Sequence, residues 1–263
     1  RLVGSEMCIR DSYCTGQSEY LVRLKHSCPD PSLLNFENYN MKIITWNACC
    51  KFREKYSLLS QYDADILVIQ ECEDPSRSLC QAYRAFSGQY VWVGANKNKG
   101  LGIFCKPGLQ IDSLNWESRS LSYFLPVRIN DSFDLIGVWA CKPYIEAIYE
   151  YEQMHHQKLE SNSVILGDFN SNVIWDRPHG KRNQTAVNNA LSDKGLLSAY
   201  HYLSGEQYGK ETVSTFYLHR HIARSYHIDY CYCDPNRLMS LKVLDKEIFL
   251  QYSDHLPVEI ILK

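Results

Sequence analysis

No stretch of this 263-residue chain approaches the ~20 consecutive apolar residues that cross a bilayer, so a spanning helix is excluded. Near the start, Leu21 and Val22 are cut off by Arg23 and Lys25, and no apolar signal-peptide core is expected there. The eleven cysteines are an odd number without one Cys-x-x-Cys spacing, which argues against a disulfide framework. Cys72, Cys105, Cys141 and Cys231 sit inside or beside apolar strand-like runs and read as reduced packing residues of a cytoplasmic protein. Cys231 and Cys233 face one way on a strand, which suits packing or, with further ligands, a soft metal. An excess of charge is also missing: 28 Lys and Arg stand against 30 Asp and Glu, for a formal net charge of −2. General attraction to polyanions is thereby excluded, and contact with one would need a local basic patch or a metal. Internal repeats and low-complexity segments are absent, which removes solenoids and disordered tracts. With 45% hydrophobic and 22% charged residues and a mean hydropathy of −0.35, the composition is that of a globular domain.

Strong patterning begins at Met41. Residues 1–40 lack a sustained helical or strand period, and Pro29 and Pro31 punctuate their end, so they are expected to be an extension outside the fold. Residues 41–263 are expected to be the folded domain, with Met41 as the natural start. Strands are predicted at 41–46, 64–69, 90–94, 101–105, 123–129, 133–140, 163–167, 226–233, near 240–249 and at 256–262. The run ADILVI at 64–69 has the continuous apolar character of a strand buried on both faces. Helices are predicted over 51–62, 144–159 and 184–194 from apolar residues three and four apart.

The ends of these strands carry a repeated bias toward oxygen donors. Asn47 ends the first strand and Gln70-Glu71 the second; 163–167 runs into Gly167-Asp168-Phe169-Asn170; Asp229 lies inside 226–233; and Ser253-Asp254-His255 precedes the last strand. Taken alone, Asn47 is equally a turn residue, Asp168-x-Asn170 a surface loop and Asp254-His255 an exposed one. Glu71 and Asp229 are harder to dismiss, because a buried carboxylate without partners is costly. Glu71, Asn47 and Asp254 offer the hard oxygen ligands that Mg²⁺ or Mn²⁺ prefers. His255 with Asp229 is a candidate couple in which a carboxylate fixes an imidazole. Asp168 is placed to accept a proton from water, with the Asn170 amide donating to a phosphate oxygen. These parts suit metal-assisted attack of water on a phosphate ester.

The motifs Thr45-Trp46-Asn47, Ile69-Gln70-Glu71, Gly167-Asp168-Phe169-Asn170, His227-Ile228-Asp229-Tyr230 and Ser253-Asp254-His255 occur in an order and approximate spacing that resembles the endonuclease/exonuclease/phosphatase, or DNase I-like, superfamily. The resemblance spans essentially all of 41–263. It implies an α+β fold, a four-layer α/β/β/α sandwich of two packed mixed sheets. It further implies Asn47 and Glu71 at a Mg²⁺ or Mn²⁺ ion with Asp254 as a further carboxylate, Asp168 as the base, Asn170 on the scissile phosphate, and Asp229 orienting His255. The implied activity is hydrolysis of a phosphodiester or phosphomonoester, most of all as a nuclease-type phosphodiesterase, with nucleic acid among the candidate substrates and no membrane partner. A competing reading is a catalytically silent module that keeps the sandwich for binding nucleic acid or protein; the presence of all seven site residues argues against it.

One departure concerns the strand ending Trp139-Ala140-Cys141-Lys142, where many members carry a His or Tyr that helps with the phosphate or leaving group. Lys142 is either a phosphate contact or simply solvated. The loop Asn96-Lys97-Asn98-Lys99-Gly100 is either a phosphate-backbone contact or an ordinary hairpin loop. The segment Thr215–His221 is either a substrate rim, through Arg220 or an aromatic, or a plain loop. His155 and His156 are expected to be exposed on a Glu-rich helix.

Overall fold

The computed structural model describes residues 40–263; the expectation for residues 1–40 therefore lies, Asn40 excepted, outside the described residues. Six strands form the first sheet: β1 (Met41–Asn47), β2 (Ile66–Cys72), β3 (Gln89–Asn96), β4 (Lys99–Cys105), β13 (Leu238–Val243) and β14 (Val258–Leu262), in the order β13-β14-β1-β2-β4-β3. The second sheet holds β5 (Ile111–Ser113), β6 (Phe124–Ile129), β7 (Phe133–Trp139), β8 (Val164–Asp168), β9 (Leu197–Ser198) and β12 (Asp229–Cys233), in the order β5-β6-β7-β8-β12-β9. Both sheets are mixed, with one parallel pair each: β1 with β2, and β7 with β8. A short hairpin of β10 (Phe216–Tyr217) and β11 (Ser225–Tyr226) stands apart from both.

The period of two along each strand assigns side chains to layers. Ile43 on β1, Val164 and Leu166 on β8 and Cys231 and Cys233 on β12 point into the space between the sheets, where they meet Val68, Ile103, Val127 and Ile260. Their neighbours point outward. Ile44 and Trp46 meet Phe52, Leu59, Tyr83 and Phe249, while Ile165, Tyr230 and Tyr232 meet Ile148, Tyr151, Val187 and Leu191 on the helices Ile145–His155 and Gln184–Ser192. Because both faces are covered, these strands read as continuous apolar runs, and each fully buried aliphatic side chain contributes about 1.5–3 kcal/mol. The result is the expected four-layer sandwich. Gly137 sets the distance between its sheets: a Cβ there would lie 3.1 Å from Val68 Cγ1 and 3.3 Å from Ile103 Cδ1.

Several local expectations are corrected. The helix over 51–62 is two fragments, Phe52–Glu54 and Ser57–Ser60, separated where Lys55 leaves the helical range at φ −124° and ψ −14°, and a left-handed run at Cys49, Cys50 and Lys51, with φ 50°, 62° and 54°, precedes them. The strand near 240–249 ends at Val243; Asp245 then accepts a hydrogen bond from Glu247 N and caps the helix Lys246–Phe249. The strand at 226–233 is interrupted at His227 and Ile228, where the Thr215 hydroxyl accepts hydrogen bonds from Ile228 N and Asp229 N at 3.1 Å each. His155 is buried rather than exposed, its ring against Trp116 and Tyr151 and its Nε2 donating to the Glu117 carbonyl at 2.7 Å.

Candidate functional site

Strand direction gathers the site. The parallel strands β1, β2, β7 and β8 end at one edge of the sandwich, and the antiparallel β12 and β14 begin there, so Asn47, Glu71, Trp139, Asp168, Asp229 and the 253–255 segment all come to that edge.

Asp168 is the most enclosed of them. Its position depends on Gly167, whose φ of 145° brings the backbone so close to Val138 that a Cβ would overlap the Val138 carbonyl oxygen at 1.9 Å. Asn170, in a left-handed conformation that asparagine tolerates, donates its backbone N to Asp168 Oδ1 at 2.9 Å and its Nδ2 to Oδ2 at 2.8 Å. Asn47 Nδ2 donates to the same Oδ2 at 2.9 Å. Opposite Asp168 in the ladder stands Asp229, and both its carboxylate oxygens accept from His255 Nδ1–H, at 3.0 and 3.2 Å. His255 Nε2 is thereby turned toward Asp168 Oδ2, 3.9 Å away.

The loop carrying His255 is tied from three sides. Ser253 Oγ donates to the Asn47 carbonyl at 2.7 Å and accepts from His255 N at 3.0 Å, and Trp46 Nε1 donates to the His255 carbonyl at 3.0 Å. The Phe216 ring packs on the imidazole with centroids 4.6 Å apart. Burial alone would lower the His255 pKa, but the charges of Asp229 and Asp168 and the hydrogen bond to Asp229 outweigh it and carry it up to about 9. Burial pushes Asp168 the other way from a normal acid, up to about 7; the His255 charge opposes this, the Asp229 charge reinforces it, and the bonds from Asn47 and Asn170 hold it down. The arrangement is an imidazolium beside a carboxyl group poised near neutrality, which is the state proton-transfer chemistry requires.

Among the described residues, Asp168, Asp229 and His255 are the group of three His, Cys, Asp or Glu side chains whose ligand atoms lie within 4.8 Å of one another. The residues expected at a metal are less tightly gathered. Glu71 occupies a bulge in the β2–β4 ladder with φ 59°, and its Oε2 accepts from Lys99 Nζ at 3.1 Å and from Cys50 Sγ at 3.3 Å. Its Oε1 has no partner among the described residues, and neither does the half-buried Asp254 carboxylate. Both negative charges act on the Cys49 thiol, which burial first and these fields second push upward. Asn47 spends its nitrogen on Asp168, while its Oδ1 accepts from Cys49 N at 3.0 Å and keeps one lone pair. A hard divalent cation fits this donor set: two carboxylates with open oxygens, and one amide oxygen with a free lone pair.

Sequence reasoning singled out the polar loop at 96–100 without distinguishing Lys99, whose Nζ also lies 5.2 Å from the Trp139 ring. Thr215 and Ser253, the hydroxyls that brace Asp229 and His255, lie in segments the sequence singled out, but nothing in the sequence assigned them this bracing role. Lys142 is exposed and forms no ion pair among the described residues, and Arg220 reaches only the Gln251 carbonyl at 3.1 Å.

A model of the endonuclease/exonuclease/phosphatase family matches residues 44–255. The chain belongs to that family. Among solved structures, an AP endonuclease from Archaeoglobus fulgidus is similar with a TM-score of 0.64 at 18% identity, covering 85% of this chain and 99% of that one. A 3′ phosphatase from Neisseria bound to product DNA hairpin gives 0.63 at 18% identity over the same shares, 85% and 99%. The AP endonuclease LMAP from Leishmania major gives 0.63 at 12% identity and 89% of each chain. At such identities the likeness is one of fold. Comparison with curated proteins finds no match. Within the endonuclease/exonuclease/phosphatase frame, the departure at Trp139 stands: its ring packs against Tyr123 at 4.4 Å and offers no proton donor of the His or Tyr kind. Among the described residues no helix is long and apolar enough to cross a membrane.

Proposed function

We propose that the chain is a divalent-metal-dependent phosphoesterase of nuclease type, hydrolysing a phosphodiester or phosphomonoester. The observation that carries this reading is the buried line Asp229–His255–Asp168, with Asn47 and Asn170 both donating to Asp168, inside a member of the endonuclease/exonuclease/phosphatase family. In this reading Asp168, held near neutrality, takes the proton of the attacking water. Asn170, whose Nδ2 donates to Asp168 Oδ2 and to the Ala140 carbonyl at 3.0 Å, would exchange one of those bonds for a phosphate oxygen, and the His255 imidazolium, fixed by Asp229, stabilises the negative charge that develops on the phosphoryl group. Glu71 and Asp254, with the remaining Asn47 lone pair, would hold Mg²⁺ or Mn²⁺, which when bound polarises the phosphate and eases departure of the leaving oxygen. The Neisseria 3′ phosphatase bound to product DNA supports nucleic acid as the first substrate to try.

The test is an activity panel over single-stranded DNA, duplex DNA with abasic sites, RNA and a chromogenic phosphodiester. Hydrolysis should vanish in EDTA and return with Mg²⁺ or Mn²⁺. Full activity of a pure sample in EDTA rejects the metal mechanism, and inactivity on every substrate with either ion rejects the enzyme.

A further inference from the structure

We propose that Lys99 is a positioning cation for the substrate phosphate, shared with Glu71 and held in place by Trp139; the proposal rests on the phosphoesterase reading above. Lys99 opens β4 directly beside the bulge that re-aims Glu71, because Gly100 pairs with Cys72 across the register shift. Its ammonium lies 3.1 Å from Glu71 Oε2 and 5.2 Å from the centre of the Trp139 ring. Trp139 is only 6% exposed and is itself backed by Tyr123, so the ring is a fixed wall rather than a mobile partner. In the β7–β8 ladder Trp139 stands opposite Asp168. The cation therefore sits between the carboxylate of one sheet and the Asp168 strand of the other, at the place where the family pattern leads one to expect a His or Tyr.

An ammonium carries three donors and no acceptor, and Glu71 engages one of them. The Lys99 side chain is 42% exposed, so donors not taken by Glu71 are open to solvent and available to an anion. Glu71 Oε1 is left to a divalent cation while Oε2 keeps Lys99. Two positive charges on one carboxylate repel each other, and together they attract an anion more strongly than either does alone. Lys99 thus weakens the hold on the metal and strengthens the hold on the phosphate. A Lys99 with a merely structural role would still oppose the metal on Glu71, but its loss would leave phosphate binding unchanged, so the phosphate titration decides between the two.

These opposite signs give the test. With the full chain, Mn²⁺ is titrated calorimetrically into wild type, Lys99→Met and Lys99→Arg, and inorganic phosphate is then titrated into each Mn²⁺-loaded protein. Lys99→Met should bind Mn²⁺ tighter by roughly 3–10-fold, for loss of a partly screened like charge. The same variant should bind phosphate on the order of 10–100-fold more weakly, the worth of a hydrogen bond to a charged group, with a matching fall in kcat/KM on a chromogenic phosphodiester. Lys99→Arg should recover most of the phosphate affinity. Unchanged or weaker Mn²⁺ binding by Lys99→Met, or unchanged phosphate binding, overturns the role of Lys99 while leaving the phosphoesterase intact. A wild-type protein that neither binds Mn²⁺ nor hydrolyses the ester overturns both.

Discussion

The two sides of the site are built differently. On the inner side, Asp168, Asp229 and His255 are buried and linked to one another; Asn47 and Asn170 donate to Asp168, Thr215 accepts from the Asp229 backbone N–H, and His255 donates to the Asp229 carboxylate. On the rim, Glu71 and Asp254 are partly buried, carry open carboxylate oxygens, and adjoin the left-handed run of Cys49, Cys50 and Lys51. The groups to which the proposed function gives proton transfer are thus preorganised away from water, which would scramble the charge pattern. It leaves open the groups whose geometry a hard cation would impose, and such an ion keeps several waters of its own.

Removing the inner carboxylate should have the largest effect. Asp168→Asn keeps the shape but no longer accepts a proton, and hydrolysis should fall by the order of 10²–10⁴-fold or more. The same change should stabilise the protein, measured in EDTA. Because the folded pKa is raised from 3.8 to about 7, the carboxyl contributes stability that is complete below the unfolded value and lost as pH rises through the folded one. The Asp168→Asn variant should therefore melt higher than wild type at pH 8 and lose that advantage toward pH 4. A variant that is inactive and also less stable at pH 8 would mean that the inner side is held by its charge rather than despite it.

Next in size is the couple. Asp229→Asn and His255→Ala should each lower the rate by the order of 10²–10⁴-fold, and the double variant should be little worse than His255→Ala alone, because the two act as one unit. Multiplicative losses would break the view of the inner side as one connected device.

How much of this was legible in the sequence follows the same division. Strands buried on both faces, such as Ile66–Cys72 and Val164–Asp168, announce themselves by the apolar runs ILVI and VIL that open them, and Asp229 stands out because a carboxylate inside a buried strand needs a partner. Its contact with His255, 26 residues away, follows from the family motifs rather than from any local pattern. On the rim the residues Glu71 and Asp254 were legible but the backbone that carries them was not. Nothing in Cys49-Cys50-Lys51 signals three left-handed residues, since neither glycine nor asparagine is among them. The bulge at Glu71 and the approach of Lys99 are properties of the β2–β4 register, which the composition of either strand does not encode.

On the rim, Glu71→Gln should weaken Mn²⁺ by roughly 10–100-fold, in keeping with the loss of a group that supports a metal site, while the melting temperature in EDTA stays within a degree or two of wild type. A fall in stability equal to that of a core substitution would show that Glu71 supports the fold as strongly as the inner side does, and would erase the contrast.

The smallest expected effect probes the joint between the two sides. Ser253 Oγ is buried and joins the carbonyl of Asn47, at the end of β1, to the amide of His255. Ser253→Ala removes a donor and an acceptor together and leaves both backbone groups without a partner in a dry place, at a cost of about 1–3 kcal/mol. The methyl group keeps the volume, so the core around Trp46 should not collapse. Freed of its anchor, the His255 loop still has the Asp229 pair and the Trp46 bond to the His255 carbonyl. The rate should accordingly fall only several-fold, roughly what about 1 kcal/mol of lost positioning allows. Mn²⁺ affinity should change little, because the Ser253 hydroxyl holds only the main-chain carbonyl of Asn47 and touches neither its side-chain oxygen nor the Glu71 and Asp254 carboxylates. Thermal unfolding, kcat and calorimetric Mn²⁺ binding on the one variant give the three numbers. A tenfold or larger loss of Mn²⁺ binding alongside the modest loss of rate would show that the Asp254 carboxylate is set by the same anchor as His255, and that the two sides of the site form one device.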